Sequence, residues 1–79
     1  METKCIYVEH LVGVSKKSEK PYNMLKLSNG LDSKMFTCTL PESDTEQIEK
    51  GAEVTVKFEQ NGDPFSYFGI QSVITEIND

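Results

Sequence analysis

The chain contains no arginine, and all eight of its positive side chains are lysines. Any cationic surface must therefore be built from ammonium groups. Histidine occurs once, at His10, and cysteine twice, at Cys5 and Cys38, with no CxxC pair. Structural metal sites need clustered Cys and His, so that class has no support here. One disulfide is chemically open to the two cysteines, but both sit in apolar, strand-like runs. They read instead as reduced thiols acting as small hydrophobes, which suits a reducing compartment. No apolar run approaches the length of a membrane span. Met1 to Lys4 is polar and no long apolar stretch follows it, unlike a secretory signal. The expectation is a soluble cytoplasmic protein, in the host cytoplasm if a phage encodes it. Phosphate-binding loops, dinucleotide fingerprints and EF-hand loops are also missing.

The 79 residues suffice for one domain, 1–79, with a modest core. The net charge is −5, a balance that ordinarily argues against nucleic acid. Its distribution is uneven. Residues 1–34 hold six lysines and four acids, or +2, while residues 35–79 hold two lysines and nine acids, or −7. The two halves thus present fields of opposite sign.

Short periodic segments alternate with turn signals, the pattern of a mostly β chain. Residues 3–15 put Ile6, Val8, Val12 and Val14 on one face and Cys5, Tyr7, Glu9 and Leu11 on the other. Gly13 inside that strand predicts a bulge or bend. "KKSEK", 16–20, is a polar connector. "PYNMLKLS", 21–28, reads as the second strand, with Pro21 where a missing N–H matters least. Asn29-Gly30 is a strong hairpin signal, and "SKMFTCTL", 33–40, follows as the third strand. "SDTEQIEKG", 43–51, predicts a short helix: Ser43 as N-cap, Glu46 completing a capping box, Gly51 as stop. "EVTVKFEQ", 53–60, alternates with Val54, Val56 and Phe58 inward. After a turn at 61–64, residues 65–77 form the fifth strand, with Gly69 as a second bend. Three strands, a short helix and two strands make an all-β, five-stranded OB-like Greek-key barrel with its helix between strands 3 and 4. An SH3-like barrel or an antiparallel sandwich are the alternatives.

Enzyme signals are poor. His10 has no partner set for nucleophilic catalysis, and it reads as a strand-end or partly buried imidazole. The acids at 42, 44, 46 and 49 read as the solvated face of the helix. No catalytic residue, metal or cofactor is assigned. The informative stretch is 16–36. Lys16, Lys17 and Lys20 occupy the first connector. Tyr22 and Lys26 share a face of strand two with Met24 between them, and Lys34 and Phe36 share a face of strand three. Tyr67, beside Phe65 in the fifth strand, offers a second stacking position. Rings beside lysines on a sheet suit single-stranded nucleic acid: bases stack on the rings while ammonium groups hold phosphates. The same pattern also fits a solvated, aggregation-resistant edge with a half-buried tyrosine.

The stretch "GVSKKSEKPYNMLKLSNG" resembles the DNA-binding hairpin of the filamentous-phage single-stranded DNA-binding proteins, the helix-destabilising type. The similarity covers residues 13–40. Shared features are a Ser/Lys-rich connector, a Lys-Pro-Tyr turn into strand two, and an aromatic in strand three. The resemblance implies a small OB-like barrel, a dimer, and cooperative coating of single strands in replication. It assigns stacking to Tyr22, phosphate contacts to Lys16, Lys17 and Lys20, and the second aromatic to Phe36. The lack of arginine, the acidic second half and a stronger helix depart from that family. The expected function is single-stranded DNA binding (or RNA) without sequence preference, in replication of a phage or mobile element, as a homodimer away from membranes. The rival is a protein-interaction module of the same fold that works through its acidic face, as a DNA mimic or a dock for a basic partner.

Overall fold

The structure, a computed structural model, describes residues 2–59, 64–65 and 72–79. Five strands form: β1 (Glu2–Val14), β2 (Pro21–Ser28), β3 (Ser33–Cys38), β4 (Glu53–Phe58) and β5 (Val73–Asn78). They close into a barrel in the order β1-β2-β3-β5-β4, consistent with an OB-like barrel. All neighbours are antiparallel except β3 and β5, which run parallel through two residue pairs, Thr37–Val73 and Cys38–Ile74.

β1 belongs to two ladders. Its start, Glu2 to Ile6, pairs with β4, and Ile6 to Val14 pairs with β2. The change of partner is accompanied by a bulge. Tyr7 stands opposite Leu27 and Glu9 opposite Lys26, so Val8 is the extra residue. A bulge shifts the side-chain alternation by one. Cys5 and Tyr7 point inward before it, whereas His10, opposite the fully buried Leu25, points inward after it. The sequence places the irregularity at Gly13. It lies instead at Val8, where β1 must bend to serve both ladders.

The interior is filled by Cys5, Tyr7, Leu25, Leu27, Phe36, Cys38, Val54, Val56, Phe58 and Ile74. Leu25, Leu27, Val56 and Ile74 are wholly shielded from solvent, each worth about 1.5–3 kcal/mol of transfer free energy. Val54, Val56 and Phe58 face inward as the alternation requires. Phe36 meets Phe58 and Phe65 edge-to-face, with centroids 5.1 and 5.4 Å away. Both cysteines are free and buried.

Two connections differ in detail from expectation. Between β2 and β3 the chain turns over four residues, 29–32. The Asn29 side-chain oxygen accepts from the N–H groups of Leu31 and Asp32, and Gly30 takes φ 96°, a value costly for a residue with a Cβ. Between β3 and β4 there is one 3-10 turn, Glu42–Asp44, with no side-chain cap. Ser43 lies inside that turn and caps nothing. The segment proceeds by i→i−3 bonds, Asp44 N to Pro41 O, Thr45 N to Glu42 O and Ile48 N to Thr45 O. With one apolar residue to anchor it, and with Thr45 held by His10, the segment forms successive tight turns in place of an α-helix. β5 covers Val73–Asn78; Phe65, expected to open that strand, lies in a turn after Pro64, and the expected residues 66–71, with Tyr67 and Gly69, lie outside the described residues.

Candidate nucleic-acid interface

The outer surface of β1, β2 and β3 is read directly from the register. Glu9 stands opposite Lys26, and Lys26 opposite Met35. Leu11 stands opposite Met24, and Met24 opposite Thr37. Gly13 stands opposite Tyr22. Alternate residues Leu25, Leu27, Phe36 and Cys38 are buried, so all of these face outward. The result is an uncharged field of Leu11, Tyr22, Met24, Met35 and Thr37, bordered at one side by the cross-strand pair Glu9 and Lys26. Tyr22 is 42% exposed and Met35 41%. From Tyr22 to Lys26 the strand spans roughly 13 Å at about 3.3 Å per residue.

The connector 15–20 adjoins this field at the Tyr22 end. Its ends are tied by Ser15 N to Lys20 O, and Glu19 N returns to Ser15 O, both 2.9 Å. Glu19 takes φ 56° to close the turn. Lys16, Lys17 and Lys20 are exposed. Among the described residues no carboxylate lies within ion-pair distance of these three or of Lys26. The nearby Glu9 carboxylate is instead 3.6 Å from Lys50. Lys57 is engaged by Glu76 at 3.2 Å. Exposed pairs of this kind add at most about 1 kcal/mol; among the described residues Lys16, Lys17 and Lys20 are in neither pair.

Not every expected site residue joins this surface. Phe36 is 2% exposed and forms part of the core. It cannot take a base, because β3 offers one face to the interior and needs Phe36 and Cys38 there. The outward residues of β3 are Met35 and Thr37, the opposite face from the one expected. Lys34 follows Phe36 inward: its Nζ donates to Pro64 O at 3.0 Å and lies 5.6 Å from the Phe36 ring. It closes the barrel interior beside a ring and is not a phosphate contact on the outer field. Tyr67 lies outside the described residues. Tyr22 and Lys26 share the outer face of β2, and Lys16, Lys17 and Lys20 are exposed in the connector that leads into it. Met24, Met35, Leu11 and Thr37 complete the surface, and the period-two alternation would have found them once Phe36 was assigned to the core.

His10 is a structural pin. Its Nδ1 lies 2.6 Å from Thr45 Oγ1 and its Nε2 2.5 Å from Asn23 Oδ1. Asn23 Nδ2 donates to Leu40 O at 2.7 Å, which turns Oδ1 toward the ring. Nε2 therefore carries a proton. The Thr45 hydroxyl meets both Nδ1, at 2.6 Å, and Glu42 O, to which it donates at 3.1 Å, while Glu42 O also receives the Thr45 N–H. Every buried polar group of the cluster is satisfied by this arrangement. One imidazole thus links β1, β2, the end of β3 and the 3-10 turn. Burial pushes the Cys5 thiol up to about 11 and raises Cys38 as well, which makes both poor nucleophiles.

Among the described residues no group of three His, Cys, Asp or Glu side chains is arranged to hold a metal. No helix among them is long and apolar enough to cross a membrane. The chain matches no protein-family model, no curated protein and no solved structure.

Proposed function

We propose that the chain binds single-stranded DNA with little sequence preference, by stacking on Tyr22 and by ammonium–phosphate contacts from Lys16, Lys17, Lys20 and Lys26. The observation that carries this reading is an exposed ring beside an apolar field on the outer face of β1, β2 and β3, next to a connector with three exposed lysines. Bases stack on the ring and rest on Met24 and Met35. Phosphates run along the lysine connector. In OB-type barrels the strand 2–3 face and the connector between strands 1 and 2 form the usual single-strand surface. The barrel does no chemistry in this reading. It coats exposed strands in replication of a phage or mobile element, in the cytoplasm and as a homodimer.

The test is fluorescence-anisotropy titration of labelled oligo-dT, with oligo-U beside it, at two salt concentrations. Affinity falls as salt rises, and Tyr22→Ala weakens it by about 1–3 kcal/mol. No binding at low salt would end this reading and turn attention to the exposed acids Glu42, Asp44, Glu46 and Glu49 as a docking face.

A further inference from the structure

Gly13 has no backbone reason to be glycine. It lies within β1, the bulge is at Val8, and among the described glycines only Gly30 and Gly51 take positive φ. What its missing side chain leaves is room. A Cβ there would stand 2.7 Å from Tyr22 Oη, 2.9 Å from Cζ and 3.3 Å from Cε2. Carbon and oxygen do not approach so closely, so the Tyr22 ring lies over the Cα of its cross-strand partner in space that only glycine leaves open. We infer that Gly13 is a positioning residue for single-strand binding: it lets the Tyr22 ring lie down on the sheet, with one π-face covered and the other offered to a base.

The inference rests on the reading above and deepens it. A ring already held flat needs no reorientation when a strand arrives, so the ordering cost of binding is small. A ring covered on one face takes a single base and is not sandwiched between two. The ring is exposed and hinged at its Cβ, so an added methyl at position 13 lifts it away at little expense to the fold. Gly13→Ala thus disturbs the platform and spares the barrel.

The experiment has two arms. In the free protein, proton NMR of Gly13 should give Hα resonances displaced upfield by the ring current. The displacement should vanish in Tyr22→Leu and persist when oligo-dT saturates the wild-type chain. In titrations, Gly13→Ala should weaken oligo-dT binding about tenfold, within the range of one lost stacking contact, and should have no effect in a Tyr22→Ala background. Wild-type affinity in Gly13→Ala overturns the inference while leaving the binding reading intact. So does an equal loss in both backgrounds, which marks a merely structural glycine. Should Gly13→Ala fail to fold, the wild-type NMR arm decides: Hα resonances at ordinary positions, or a displacement that disappears on binding, overturn it. No binding by the wild type overturns inference and reading together, and the free-protein Hα displacement then reports separately whether the ring lies where the structure places it.

Discussion

Glu19 supplies the only carboxylate of the lysine connector, and it does so from a left-handed backbone. That conformation costs a β-carbon-bearing residue roughly 1 kcal/mol, and Asn tolerates it better because its amide bonds locally. Glu19→Asn should therefore leave the melting temperature unchanged or raise it. By removing a negative charge among Lys16, Lys17 and Lys20 it should also tighten oligo-dT binding at low salt, less so at high salt. Anisotropy at two salt concentrations reads both. Weaker binding would mean that the connector does not face phosphate. Cys5 carries a second expectation. Its thiol titrates near 9.0 when free and near 11 in the fold. The folded value is raised, so the stabilisation is whole below pH about 9 and is lost as the pH climbs toward 11. Iodoacetamide at pH 8 should label Cys5 and Cys38 only after denaturation, and mass spectrometry before and after urea would show it.

At the scale of elements, the His10 cluster ties β1, β2, Leu40 and the 3-10 turn through polar atoms. Removing the ring leaves Asn23 Oδ1 unpaired in a half-buried site, a loss of about 1–3 kcal/mol. His10→Ala should lower the urea midpoint accordingly, and the double variant with Asn23→Ala should lose less than the sum. Strict additivity would show the cluster to be incidental. Phe36→Ala should be more damaging still, by about 3–5 kcal/mol. On a domain this small that is a large share of the total stability. The strands were legible because Leu25 and Leu27, and Val54, Val56 and Phe58, recur with period two. The site face of β2 followed from the same alternation. The bulge at Val8 was not legible, since neither glycine nor proline marks it; it arises because β1 changes partner there. The sequence alone does not tell the faces of β3 apart: an aromatic beside a lysine looks alike whether it stacks on a base or, as Phe36 does, fills a barrel. The cap at Ser43 gave a helix in local terms, but a tertiary hydrogen bond to Thr45 and a shortage of apolar residues decided otherwise. Gly13 reads in the sequence as a backbone bend, whereas in the fold it leaves room for the Tyr22 ring on the neighbouring strand.

For the molecule as a whole, charge is the measurable property. The net charge is −5, yet the connector that leads into Tyr22 carries three exposed lysines against one carboxylate. If Lys16, Lys17, Lys20 and Lys26 each neutralise one phosphate, log affinity against log salt should have a slope of about −3 for a single strand. Replacing Lys16, Lys17 and Lys20 with Gln should flatten it to about −1. A slope that ignores those substitutions would remove the connector from the interface. Closure of the barrel is a separate matter. The outer field is made wholly by residues 9–37, a contiguous meander, whereas the wall is completed by Val73 and Ile74 clasping Thr37 and Cys38. A ribosome that has released residue 40 has already delivered every side chain of the field, while the strand that must shut the apolar hollow behind it is still tens of codons away. The nascent chain therefore passes through an interval in which the outer sheet face is complete and its greasy back lies bare.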